Sequence, residues 1–154
     1  MTEHGAGIPQ TLRLIIEQIR CFQPEIVLAN AIEDRHPDHA KASKLVSEAC
    51  FLAGLRKIET SYNGATQEPH RPKVVYHYIQ DHFIKPDFVV DVTPFLDRKI
   101  EAIKAYKTQF FDPNSLEPAT PISGEEFFDF IKGRMLQFGR SIGVKYAEGF
   151  TIER

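Results

Sequence analysis

The segment Glu33-Asp34-Arg35-His36-Pro37-Asp38-His39 gathers two histidines and three carboxylates into seven residues. Neutral imidazole is a common zinc ligand and a common general acid or base. A carboxylate bonded to its far nitrogen fixes the tautomer. His36 and His39 lie three apart around an expected helix start, which lets both face one point. Asp38 is placed to orient one of them. The same residues also suit a plainer role. Pro37 in a first helical turn and Asp38 near the N-terminus favour any helix start, with the histidines solvated. An H-x-x-H pair is less specific than H-E-x-x-H, and the spacing leaves both readings open.

Other polar residues carry weaker signals. His77 lies mid-strand between apolar neighbours, where a satisfied sheet histidine is the ordinary reading. His4, His70 and His82 fall in polar stretches and are expected at the surface. Glu148, in Tyr146-Ala147-Glu148-Gly149-Phe150, is one acid in an aromatic, glycine-containing segment. It is either an acceptor for a substrate hydroxyl or a surface charge. Cys21 and Cys50 sit in apolar helical patterns and are expected as two buried thiols, which fits a reducing cytoplasm.

The elements that must hold these groups follow from apolar spacing. Leu12, Ile15, Ile16, Ile19 and Phe22 form one face of a helix over 11–22, stopped by Gln23-Pro24. Ile26 to Ile32 is an almost unbroken apolar run, the pattern of a buried strand in a parallel sheet. Leu45, Val46, Ala49 and Ala53 recur at helical spacing. Residues 60–73 read as loop, Val74–Ile79 and Phe88–Val92 as strands. Thr93-Pro94 opens a helix with Thr93 as N-cap, and Ser123 to Glu126 form a capping box before another that ends at Gly139. Residues 112–122, with three prolines, form a long loop and a candidate lid. Strands alternating with helices predict an α/β fold with a mainly parallel sheet and flanking helices, as a single domain over 1–154. In such sheets ligands bind beyond the carboxyl ends of the strands, where residues 33–39 fall.

Composition limits the partners. The chain has 154 residues, 42% hydrophobic and 26% charged, which suits one ordinary globular domain. Nineteen basic against 21 acidic residues give a net charge of -2, which argues against a nucleic-acid backbone binder. Neither a G-x-G-x-x-G nor a P-loop pattern occurs. No apolar run approaches the roughly 18–20 residues of a membrane span, and the first residues do not read as a secretory signal.

At Arg35-His36-Pro37-Asp38-His39 the sequence resembles the LmbE-like zinc N-deacetylases, the family of the N-acetylglucosaminyl-phosphatidylinositol deacetylases. Within it the likeness is greatest to the bacillithiol biosynthesis deacetylases. It extends through Leu28–Ile32, Ala49–Ile58, Tyr76–Gln80, Lys85–Asp91 and Tyr146–Phe150. The resemblance implies a Rossmann-like fold, a Zn2+ cofactor and hydrolysis of the N-acetyl group of an N-acetylglucosamine (GlcNAc) conjugate. That conjugate would be N-acetylglucosaminyl malate. It also implies a cytoplasmic enzyme with a small-molecule substrate, often a homo-oligomer. By the same analogy His39 is a zinc ligand, and His36 is the imidazole beside the substrate carbonyl, oriented by Asp38. Arg35 is a candidate for the substrate carboxylate, or else one half of a structural ion pair.

The family also carries an N-terminal H-P-D-D motif on its first strand, which supplies further zinc ligands and the general base. Here His-Pro-Asp occurs only at His36. The chain therefore resembles the C-terminal portion of the family's enzymes, without the first strands of their sheet. The resemblance then implies one of three expected zinc ligands and a sheet edge open to pairing. The alternatives are a non-catalytic interaction subunit that keeps the second half of the fold, and a deacetylase of another GlcNAc conjugate.

Overall fold

The computed structural model describes residues 8–106, 120–124 and 126–153. The fold is mixed α/β and divides into two compact units, Met1–Asp87 with Phe150–Arg154, and Phe88–Gly149. The expectations placed on His4, Glu125 and most of the 112–122 loop lie outside the described residues.

In the first unit, helix α1 (Gln10–Phe22) buries Leu12, Ile16 and Ile19 against helix α2 (Pro37–Ala53). These residues join Ala29, Ala49, Cys50, Ala53 and Val75 in the core. Helix α1 ends as expected, at Gln23 in the left-handed region (φ 47) just before Pro24. Phe22, expected on the buried face, is exposed, as is Cys21. Both fall past the stripe that faces α2. Only Cys50 is the buried thiol, and burial, with the nearby Glu153 charge, pushes it up to about 11.

Strand β1 (Ile26–Ala29) pairs in parallel with β4 (Val74–Tyr78), matching Ile26 with Val74 and Ala29 with His77. Strand β6 (Ala147–Ile152) runs antiparallel to β4, with His77 opposite Thr151. The sheet is therefore mixed. Strand β1 is shorter than the apolar run implied and is an outer strand of this order, with Ile26 and Leu28 exposed on one face. The expected loop at 60–73 contains a hairpin of β2 (Ser61–Tyr62) and β3 (Ala65–Thr66). Its turn is Asn63-Gly64, with φ 51 and 80. An Asn-Gly pair tolerates two positive φ angles, and this is the turn that suits the twist of a two-residue hairpin.

The second unit holds β5 (Phe88–Asp91), a 3-10 turn (Thr93–Phe95), α3 (Leu96–Lys104) and α4 (Glu126–Ile142), which contacts β5. Thr93 is not an N-cap. Its hydroxyl bonds the backbone of Tyr146, while its N–H donates to Asp91 Oδ1 at 2.9 Å. Ser123 likewise bonds the Thr120 backbone and precedes a helix that starts at Glu126. Helix α4 passes through Gly139, where a Cβ would sit 2.6 Å from the Val144 carbonyl. The positive φ that ends it belongs to Gly143 (φ 74).

Candidate functional site

Strands β1 and β4 run side by side and end together, so the loops that follow them meet. Asn30 Nδ2 and the Ala31 N–H both donate to Gln80 Oε1, at 3.1 Å each. Arg35 Nε donates to Asp81 Oδ2 at 2.5 Å. Asp34 Oδ1 accepts from the backbone N–H groups of Asp81 (2.9 Å) and His82 (2.7 Å). These bonds hold residues 30–36 over the carboxyl ends of the parallel pair, beside the start of α2.

Helix α2 starts at Pro37 because His36 caps it: the backbone is extended there, and Nδ1 accepts from the Asp38 N–H at 3.2 Å. Nδ1 is thus the acceptor, and in the neutral ring the proton sits on Nε2. His39, less than a turn further on, has the opposite arrangement. Its Nδ1 bonds Asp34 Oδ2. A carboxylate only accepts, so in the neutral ring His39 carries its proton on Nδ1 and keeps a lone pair on Nε2. No described residue bonds that nitrogen. The two rings lie 5.2 Å apart, centre to centre. Side by side, the two imidazoles present a donor and an acceptor.

The Asp34 side chain is 0% exposed, whereas His39 is 35% exposed. Burial alone would raise the Asp34 carboxyl. The bonds from the His82 N–H, the His39 ring and the N–H groups of Arg35 and Asp81 outweigh it and hold the group below the usual carboxylate range. Asp38, expected to orient His36, does so through its N–H and not its carboxylate. That carboxylate is 3.9 Å from His36 Nδ1, largely exposed, and bonded to Lys41 Nζ at 3.3 Å. Asp34 is one of the three carboxylates counted in the segment, and what sequence reasoning missed is its place as the partner of His39. Its signal is its place just past the end of β1, where a loop acid can reach both strand ends.

The remaining candidates fall elsewhere. Arg35 forms the ion pair with Asp81. Glu148, in the second unit, is a half-buried ion-pair partner of Lys99. It lines a cavity of about 340 Å3 with Phe95, Arg98 and Met135. His77 is 3% exposed and satisfied: Nδ1 bonds the Asn30 carbonyl (2.8 Å) and lies 2.9 Å from Ser43 Oγ, and Nε2 faces Glu153. His82 is exposed as expected, but His70 is partly buried, with Nε2 on the Pro24 carbonyl at 2.9 Å.

Among the described residues, no group of three or more His, Cys, Asp or Glu side chains could hold a metal ion. The described set does not close a metal site. Among the described residues His39 has the build of a ligand, a bare Nε2 on a ring whose other nitrogen is tied to a carboxylate. No helix among the described residues is long and apolar enough to cross a membrane.

No family model matches the chain. It is 30% identical over 141 residues, 90% of its length, to the diacetylchitobiose deacetylase of Thermococcus kodakarensis, of which it covers 48%. It superposes with a TM-score of 0.77 and 31% identity on the conserved protein TT1542 of Thermus thermophilus, covering 98% of this chain and 62% of that one. Two further structures share the fold. The N,N'-diacetylchitobiose deacetylase of Pyrococcus horikoshii gives a TM-score of 0.67 at 22% identity, over 94% of this chain and 51% of that one. GalB, the 4-carboxy-2-hydroxymuconate hydratase of Pseudomonas putida KT2440, gives 0.65 at 23%, over 94% and 58%. A hydratase and a deacetylase on one fold show that the fold alone does not choose the reaction. The chain spans about half the length of the curated relative it matches, and its homology to that enzyme supports the deacetylase family its own motifs resemble.

Proposed function

We propose that the chain carries part of the active site of an LmbE-like N-deacetylase, which hydrolyses the N-acetyl group of a GlcNAc conjugate. N-acetylglucosaminyl malate, in bacillithiol biosynthesis in the cytoplasm, is the substrate we favour. The observation that carries this reading is the pair of imidazoles at the end of β1, with His36 offering Nε2–H and His39 offering a lone pair. Amide hydrolysis needs both kinds of group, because negative charge develops on the carbonyl oxygen while a nucleophile must be held beside it.

In this reading the Nε2–H of His36 donates to the acetyl oxygen as the carbonyl carbon becomes tetrahedral. Asp38 supports His36 through its N–H and adds negative charge nearby. His39 is a zinc ligand, and bound zinc would activate water and polarise the carbonyl. Catalytic zinc usually has three protein ligands, and the described residues bring one. Arg35, already paired with Asp81, is the group we assign to recognition of a substrate carboxylate, an assignment that follows from the substrate the family resemblance implies.

The test is acetate release from malate, chitobiose and inositol conjugates of GlcNAc, with zinc added. Weak zinc binding and slow release are expected, greatest for the malate conjugate. His39→Ala should abolish release, and His36→Ala should lower it by about 10²–10⁴-fold. Release from none of the conjugates at saturating zinc would overturn the reading in favour of a non-catalytic subunit. Release that survives His39→Ala would overturn the site.

A further inference from the structure

We propose that Asp34 is the positioning residue of this site, a buried carboxylate that locks His39 with its proton on Nδ1 and its Nε2 lone pair facing out. The proposal deepens the deacetylase reading in one respect only, namely what His39 then binds. Its geometry belongs to the chain itself.

Asp34 has two carboxylate oxygens with separate tasks. Oδ1 takes the backbone N–H groups of Asp81 and His82, which lie beyond β4. Oδ2 takes His39 Nδ1, which lies in the first turn of α2. One side chain therefore references the imidazole to the end of a central strand. Backbone N–H groups cannot rotate away, so the carboxylate plane is fixed and the ring orientation with it. His36 has no such anchor, since its nitrogen meets only the N–H two residues on. The difference in exposure agrees: the anchoring carboxylate is out of solvent, while the ring it holds is open on one side.

The arrangement makes a discriminating substitution available. In Asp34→Asn the two N–H groups still require an oxygen, so the amide oxygen stays on them. The NH2 group then faces His39 Nδ1, which must become an acceptor, and the proton moves to Nε2. The variant has nearly the same shape and inverts the tautomer. A merely structural Asp34 would leave the tautomer ratio of His39 untouched.

The experiment is a two-bond 1H–15N correlation spectrum of the histidine rings in the full chain without metal, above the titration of the rings. His39→Gln identifies the His39 signals. The expected result is the Nδ1–H tautomer in the natural protein and the Nε2–H tautomer in Asp34→Asn. An Nε2–H tautomer in the natural protein overturns the proposal. So does an unchanged tautomer in a folded Asp34→Asn. If that variant does not fold, the natural protein's spectrum still decides. Absence of deacetylase activity would leave the spectra as they are, so the two failures are distinguishable.

Discussion

Helix α2 has one buried charge at each end, each of the sign that the helix dipole favours there, and the two do different work. At the C-terminal end, Arg20 is 3% exposed. It donates to the carbonyls of Ala53 (2.9 Å), Leu55 (2.9 Å) and Ile58 (2.7 Å) and to Thr60 Oγ1 (2.8 Å). Every one of those partners is part of the fold, so its bonds close on the fold itself. At the N-terminal end, Asp34 also binds backbone, but its last bond goes to a ring that is partly open to solvent. A buried charge whose bonds all close on the fold sets the path of the chain. One that ends on an open imidazole passes the rigidity of the fold to a group that can meet a ligand.

The sharpest way to break this comparison is to remove each charge in turn. Arg20→Met should cost the most stability. It leaves the Ile58 carbonyl without its donor and takes a charged donor from the Ala53 and Leu55 carbonyls, which keep the N–H groups of His70 and Ile58. At about 1–3 kcal/mol for a dry unpaired carbonyl, with the lost charged bonds added, a loss on the order of 3 kcal/mol is expected. The urea midpoint reads it, with the His39 tautomer unchanged in whatever fraction remains folded. A midpoint equal to that of the natural protein would mean that water replaces the guanidinium, and the two ends of α2 would not differ as argued.

The second test uses pH. The Asp34 carboxyl is held below its ordinary value of 3.8 in the fold. Its stabilising effect is therefore complete above that value and is lost as pH falls below it, through the lower folded value. The difference in unfolding free energy between the natural protein and Asp34→Asn should shrink as the solution is made more acidic than that ordinary value. The corresponding difference for Arg20→Met should not follow that course, because guanidinium does not titrate there. Urea unfolding at a series of pH values checks both. Parallel curves for the two variants would remove Asp34 from the role given to it.

The same contrast explains what the sequence could disclose. Apolar spacing located α1 and α2 because burial repeats along a helix face, and runs of β-branched and aromatic residues located β4 and β5. The His36–His39 pair was legible for a related reason, since both partners lie within one turn. The anchoring of Asp34 was not, because Oδ1 meets backbone groups 47 and 48 residues away, and a backbone N–H leaves no mark in a residue pattern; only its bond to His39, five residues on, is local. Arg20 was missed likewise, being bonded to carbonyls 33 to 38 residues on. The role expected of the Asp38 carboxylate went to its N–H for a local reason. An extended His36 before Pro37 brings the ring onto the N–H two residues ahead. The Asn63-Gly64 hairpin is a different case. Its signal was present in the residues, and only the shortness of the two strands concealed it.

Between the two ends of α2, Ser43 offers the smallest test. Its Oγ lies 2.9 Å from His77 Nδ1, and the same nitrogen is 2.8 Å from the Asn30 carbonyl. The carbonyl can only accept, so Nδ1 carries a proton, and Asn30 keeps it when the hydroxyl is removed. Ser43→Ala therefore strands no buried donor on His77. It removes one neutral bond from a site that is already satisfied, and the expected cost is about 0.5–1.5 kcal/mol by urea unfolding. The His39 tautomer should not move, because no bond of Asp34 or His39 involves this cluster. A loss as large as that of Arg20→Met would show that the middle of α2 bears the load assigned to its C-terminal end. A shifted His39 tautomer would show that His77 and Asp34 act together, and that His39 takes its orientation from both.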